Sequence, residues 1–272
     1  MPDNFDSRTN RDTLVDRAYR TGNDLTKRRN LYHYQKPQYD IPGLVIDKIG
    51  NRKPVRILDI GCGKGDITKR LRIEFPEAEV IGLDVSEGIM DDLEPPVVVG
   101  DAQHLPWDND SFDVVLAMHM IYHIENINQG LAEMVRVLAP GGVLITSTNA
   151  ADDKQELDDL WKSATYTVLN MVDPPGRIKL SGRFELDSAA EALEKHLAHV
   201  EVTELNGIIE VDGSAPVIDH FGSYKSFADS RDLPFDPILN EIHKQLSETI
   251  DRDGSFRIRC RNGIVTGLKS GS

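Results

Sequence analysis

The stretch Ile57-Leu58-Asp59-Ile60-Gly61-Cys62-Gly63-Lys64-Gly65-Asp66 carries glycine at every second position, where an apolar run hands over to a helix-period segment. Backbone approaches a ligand closely only where no Cβ intervenes, and glycine supplies the positive φ angles that such a bend needs. The pattern G-x-G-x-G is not the dinucleotide fingerprint G-x-G-x-x-G, because position 66 is Asp. An acid opening the helix also opposes a pyrophosphate, since a helix N-terminus attracts anions best without a local competitor. The loop points to a nucleoside ligand without phosphates.

Two further acids fit that ligand. Asp84 ends the next apolar run about twenty residues on, where a carboxylate can accept both hydroxyls of a ribose. An acid at a strand end is otherwise a helix cap, but its spacing from the glycine loop favours the ribose. Asp101 ends a third run and is followed by Ala102-Gln103. A carboxylate there can accept the exocyclic amine of adenine, while the small Ala102 lets a flat ring lie against backbone.

His119-Met120-Ile121-Tyr122-His123 follows the fourth apolar run, at the sheet edge where open α/β folds bind ligands. Imidazole titrates near neutrality, which makes His123 the candidate general base, and Tyr122 beside it is a candidate acceptor contact, since both face roughly the place an acceptor would occupy. The alternative is that His123 caps the loop or lines a pocket without taking a proton. His104, His196, His199, His220 and His243 read as surface residues. Cys62 reads as a small side chain packed beside the strand. With no paired Cys or His at ligand spacing, no metal site is expected.

These residues need a framework. Val55–Ile60, Val80–Leu83, Val97–Val99, Val114–Met118 and Val143–Thr148 read as buried strands alternating with helices, the sign of βαβ units around a parallel sheet. Ser86 looks like the N-cap of a short helix, and Asn126 with Gln129 like a capping box. In the second half, helices are predicted from Asp152 to about Leu169 and over Ser188–Leu197, with a third capped by Asp236 ahead of Pro237. Val200–Val211 contains a strand, and Phe256–Leu268 is a last strand or hairpin. Strands at both ends of this half predict that it completes the same sheet.

Bulk properties narrow the classes. The 272 residues carry a formal net charge of −14, which argues against holding nucleic acid by its phosphates. Basic residues among the first 40 are interleaved with Asp and read as a solvated helical face. No apolar run approaches the roughly 20 residues that span a bilayer. The opening MPDNFDSRTNRD is polar and mixed in charge, so neither a signal nor a transit peptide is expected. Two cysteines fit a reducing cytosol.

Taken together, the motifs resemble the class I S-adenosylmethionine-dependent methyltransferases, in the branch of ubiquinone-pathway and secondary-metabolite enzymes with a type 11-like domain. Val55–Gly65 matches the family's first motif, Leu83-Asp84-Val85-Ser86 its acidic loop, and Gly100–Pro106 its adenine loop. Phe112–Val115 and Glu133–Gly142 match the fourth strand and the approach to the fifth. The resemblance implies a Rossmann-like α/β fold: a seven-stranded, mostly parallel sheet with helices on both faces and an antiparallel last strand. It implies a helical lid over residues 1–50 and a methyltransferase domain over 51–272, with a cofactor half at 55–149 and a substrate-side half at 150–255.

By that resemblance the cofactor is S-adenosylmethionine. Gly61, Gly63 and Gly65 approach its methionine part, and Asp59 bonds the amino group directly or through water. Asp84 takes the ribose, Val85 and Met90 flank the adenine, and Asp101, Ala102 and Gln103 receive its edge. The backbone of Met118 or His119 lies near the sulfonium. Tyr19, Arg29 and Tyr34 of the opening segment are possible acceptor contacts, unless that segment only packs on the sheet edge. The implied activity is cytoplasmic methyl transfer to a small molecule. A methyltransferase of RNA or protein, or a cofactor-binding protein without methyl transfer, are the alternatives.

Overall fold

The apolar runs become strands, the central ones buried throughout and Val97–Val99, at the sheet edge, only half-buried with Val99 exposed. In the computed structural model, which describes residues 6–20, 22–228 and 233–271, ten strands occur among the described residues. They are β1 (Gln35–Lys36), β2 (Arg56–Ile60), β3 (Glu79–Asp84), β4 (Val97–Val99), β5 (Phe112–Met118), β6 (Leu138–Asn149), β7 (Ala198–Glu204), β8 (Gly207–Val211), β9 (Phe256–Cys260) and β10 (Asn262–Leu268). Seven of them form one sheet in the order β4-β3-β2-β5-β6-β10-β7. β2 pairs in parallel with β3 and β5, as do β3 with β4 and β5 with β6. The last strand, β10, is antiparallel to both neighbours.

The chain clusters into two compact units. The larger takes residues 39–151, 180–205 and 262–272 and holds the seven-stranded sheet. Central parallel strands are buried on both sides, which is why they read as continuous apolar runs instead of alternating ones. Ile57, Val80, Val114, Leu116, Val143, Ile145 and Ile264 meet Val45 and Ile49 of the helix Ile41–Ile49 and Leu71 of the helix Asp66–Glu74 in one core. On the helix Ile127–Val137, Leu131, Met134 and Val137 are buried. The strand order reverses between β2 and β5. Ligands in such sheets bind outside the carboxyl ends of the strands at that point.

The smaller unit takes residues 1–38, 152–179 and 206–261. Within it β1, β8 and β9 form a three-stranded antiparallel sheet beside the helices Gln155–Leu169, Ala215–Gly222 and Phe235–Asp253. The second half of the sequence therefore does not simply finish one sheet. β7 and β10 do so, whereas β8 and β9 leave it. The break between β9 and β10 falls at Arg261, whose N–H donates to Asp153 Oδ1 at 2.9 Å and whose guanidinium reaches Asp152 at 2.7 Å.

Several local predictions shift for identifiable reasons. The helix expected to begin at an Asp236 cap begins at Phe235. Asp236 is occupied by Lys225 Nζ at 2.6 and 2.8 Å, and Pro237 is tolerated because first-turn amides have no intrahelical acceptor. The helix predicted from Asp152 starts at Gln155, after Lys154 in the left-handed region (φ 58°). Ser188–Leu197 is matched by Leu186–Glu194. Ser86 precedes a single 3-10 turn, Glu87–Ile89, and its side chain caps nothing there. Half of the capping box forms: Asn126 accepts from the Gln129 N–H, but the Gln129 side chain goes to Gln103 O instead.

Candidate functional site

The glycine loop follows β2 directly, and Gly61, Gly63 and Gly65 have φ of 68°, 53° and 74°. That region is open to glycine and strained for other residues. Two of the three are also enforced by packing. A Cβ on Gly61 would lie 2.7 Å from Met120 Cβ, and one on Gly65 would lie 2.5 Å from a Leu93 methyl. Cys62 sits beside Gly82 of β3, whose own added Cβ would fall 2.9 Å from the sulfur. The expected packing of Cys62 against the strand is what forms, and burial pushes its thiol pKa up.

Asp84 is buried at the end of β3, with one oxygen turned to the glycine loop and the other to the Ser86 amide of its own segment. Oδ2 accepts from the Gly63 N–H and Oδ1 from the Ser86 N–H, each at 3.0 Å. A carboxylate oxygen has two lone pairs, so Asp84 can brace the loop and still accept hydroxyls. Burial raises its pKa, and the backbone hydrogen bonds to Ser86 and Gly63 oppose the rise. Val85 is half-buried and Met90 buried beside it.

Around Asp101 the side chains form a strut. Asp101 Oδ1 accepts from Gln103 N at 2.8 Å and from Gln103 Nε2 at 3.2 Å, and Oδ2 accepts from Nε2 at 3.2 Å. Gln103 Oε1 takes the Asn126 N–H at 2.9 Å, so this side chain is engaged at both ends. Ala102 is buried. The segment beyond is pinned by Glu133 and Arg136, which sequence reasoning gave no separate role. Glu133 Oε2 accepts from Leu105 N at 2.9 Å, and Arg136 donates to Leu105 O and Trp107 O at 3.1 and 2.7 Å. The Arg136 guanidinium holds the Glu133 carboxyl below its usual range.

Asp59 is buried and accepts from Thr68 Oγ1 at 2.6 Å. Burial pushes its pKa up to about 7, with the Thr68 bond opposing and the nearby Asp84 charge adding. An acid poised there can change protonation when a cation arrives.

The segment after β5 begins with Met118, half-buried against the core, and His119, which takes φ 52°. The His119 N–H donates to Ser147 O and Oγ, both at 3.1 Å. Met120 then lies on Gly61, and Ile121–His123 make a 3-10 turn. Tyr122 is buried and His123 half-buried, their rings edge to face with centroids 4.7 Å apart. Arg183 fixes this turn by donating to the carbonyls of Tyr122 (3.0 Å), Ile124 (2.5 Å) and Glu125 (2.8 Å). Nothing in the sequence pattern singles out Arg183. The His123 and Ile124 amides close the turn onto Met120 and Ile121. In Arg183→Ala they should exchange with deuterium roughly ten- to a hundredfold faster, as charged hydrogen bonds of roughly 1.5–3 kcal/mol require. Unchanged exchange there would mean that the loop holds itself.

Of the acceptor candidates in the smaller unit, Tyr19 packs edge-on to Phe227, whereas Arg29 and Tyr34 are exposed. One register earlier on the same helix, Arg28 is the buried arginine. His104, His196, His199 and His243 are exposed as read. His220 is not: it is 3% exposed on the inner face of the helix Ala215–Gly222, a correction that follows from its position beside Val217 and Phe221.

A family model described as a methyltransferase domain matches residues 58–146. The malonyl-[acyl-carrier protein] O-methyltransferase of Legionella pneumophila is 30% identical over 139 residues, 47% of this chain and 49% of that protein. The ubiquinone/menaquinone biosynthesis C-methyltransferase UbiE of Dinoroseobacter shibae is 30% identical over 165 residues, 56% of this chain and 64% of that one. The chain spans about half the length of the curated relatives it matches. Among solved structures, the YcgJ protein from Bacillus subtilis shares the fold with a TM-score of 0.54 at 19% identity, over 85% of this chain and 98% of that one. The positive-φ glycine loop and the strands β3, β4 and β5 all lie within the stretch, residues 58–146, that matches a methyltransferase domain.

Proposed function

We propose that this chain transfers a methyl group from S-adenosylmethionine to a small-molecule acceptor. The observation that carries the reading is Asp84, braced by the Gly63 and Ser86 amides at the switch point with acceptor capacity to spare. S-adenosylmethionine, when bound, supplies an electrophilic methyl group on a sulfonium. Gly61, Gly63 and Gly65 would carry its amino-acid part, Asp84 its ribose, and Asp101 with Ala102, Val85 and Met90 its adenine. Gln103 acts by holding Asp101. Met118 and His119 supply backbone beside the reacting centre. Much of the rate comes from aligning donor and acceptor, which the Arg183-braced turn supports, and His123 takes a proton from acceptors that must lose one. Tyr19, Arg29 and Tyr34 are carried forward only as possible acceptor contacts. The two free cysteines fit a cytoplasmic setting.

Calorimetry tests the cofactor. Titration should give about micromolar affinity for S-adenosylhomocysteine, roughly −8 kcal/mol, and no detectable heat with NAD. Comparable affinity for NAD would overturn the ligand reading. Affinity should also strengthen as pH rises through about 7, the value to which burial pushes Asp59. Below it the carboxyl is protonated and neutral; above it the carboxylate attracts the ligand's ammonium. Asp59→Asn should flatten that dependence. Labelled cofactor offered with a metabolite extract, an RNA pool and a protein pool then tests the acceptor class: label entering RNA or protein alone refutes the small-molecule reading.

A further inference from the structure

A threonine inside a helix ordinarily bonds the carbonyl four residues back. Thr26, Thr165, Thr167 and Thr249 all do so, at 3.0, 2.7, 3.0 and 2.9 Å. Thr68 does something else. It stands in the first turn of the helix Asp66–Glu74, and the carbonyl four residues back, that of Lys64, accepts from Lys69 Nζ at 3.1 Å. The Thr68 hydroxyl reaches back across the glycine loop and donates to Asp59 Oδ2 of β2 at 2.6 Å.

Both partners are sealed from solvent, with Thr68 0% and Asp59 2% exposed. Burial drives a carboxyl toward its neutral form, whereas a donor aimed at it favours the anion. The other charges around Asp59 leave that choice open. From β3, the Asp84 charge disfavours a second anion. From the helix, Arg72 favours one, but its guanidinium is tied to the carbonyls of Val80, Glu94 and Pro96 at 2.6–3.2 Å. In the loop, burial keeps the Cys62 thiol neutral. The register neighbours of Asp59 along the sheet, Gly82 and Leu116, carry no charge.

The balance of these effects lies near neutrality, with Asp59 pushed up to about 7. A hydrogen bond to a charged group is strong enough to move a carboxyl by about one pH unit, so the Thr68 hydroxyl decides how much of Asp59 is charged there. The charge acts without contact. Asp59 lies two residues before Gly61, and a charge in a low-dielectric interior is felt over several ångströms.

We propose that Thr68 is a positioning residue for the amino group of the cofactor: its hydroxyl holds Asp59 as the buried anion toward which that ammonium is drawn. The role rests on the S-adenosylmethionine reading, and the test separates the two.

Thr68→Val keeps the shape and removes the donor, whereas Thr68→Ser keeps the donor. In the full chain without ligand, the carboxyl carbon signal of Asp59 is identified by its loss in Asp59→Asn. It should titrate near 7 in wild type and in Thr68→Ser, and about one pH unit higher in Thr68→Val. The sign carries over to binding. With the midpoint raised, less of Asp59 is charged at pH 7, so Thr68→Val should bind S-adenosylhomocysteine about fivefold more weakly there. The gap should close as pH rises. If Thr68→Val does not fold, Thr68→Ala, which removes the hydroxyl without adding bulk, carries the same expectation. An unmoved midpoint in the variant lacking the hydroxyl, or an equal rise in Thr68→Ser, would overturn the role of Thr68 and leave the cofactor reading standing. A raised midpoint with unchanged affinity at pH 7 would also overturn it. No binding of S-adenosylhomocysteine by wild type, with the carboxyl signal behaving as expected, would overturn the cofactor reading and this role with it.

Discussion

Asp84→Ala is expected to weaken S-adenosylhomocysteine binding about ten- to a hundredfold, measured by calorimetry on the folded variant. Hydrogen bonds to a charged group are worth roughly 1.5–3 kcal/mol, and each 1.4 kcal/mol is a factor of about ten. Read from sequence alone, a strand-end carboxylate should hardly affect the melting temperature without ligand. The structure changes that expectation, because Asp84 accepts from both Gly63 N and Ser86 N. Removing it leaves two loop amides without their acceptor, so the unliganded variant should also melt lower. Asp84→Asn separates the two roles, since an amide oxygen can still take one of these N–H groups but carries no charge. If Asp84→Ala folds and binds normally, the carboxylate is a brace and the ribose belongs elsewhere.

The parts of this molecule legible in the sequence are those whose signal is local. The strand cores at Ile57–Ile60 and Val114–Met118 were readable because a strand buried on both faces must be apolar throughout. Gly61, Gly63 and Gly65 were readable because positive φ selects glycine at fixed offsets. Arg183, Glu133 and Arg136 act on backbone carbonyls and amides tens of residues away. Such contacts leave no periodicity, and any surface arginine looks the same. His220 and Arg28 were misread for a related reason. Each lies on a helix whose inner face is set by neighbours distant in sequence, and one step of helical phase separates the buried Arg28 from the exposed Arg29. The departure of β8 and β9 into a second sheet was hidden because Phe256–Leu268 reads as one uninterrupted pattern. Only Asp152 and Asp153, anchoring Arg261, divide it.

His123→Ala should cut turnover at least about a hundredfold while leaving S-adenosylhomocysteine affinity nearly unchanged, since general-base contributions run to about 10²–10⁴. The geometry makes the residue available for that work. It is half-buried at the carboxyl edge of β5, edge-on to Tyr122, in a turn clamped by Arg183. A base must be neutral to accept a proton, so the wild-type rate should rise with pH to a plateau. His123→Ala should lose that limb. His123→Gln tests shape on its own, because an amide keeps much of the size and hydrogen bonding but cannot take the proton. Turnover of His123→Gln within about fivefold of wild type, well short of a general-base effect, would make the residue a wall of the pocket. The Arg183-braced turn would then serve alignment alone, with an acceptor whose attacking atom carries no proton or has already lost it.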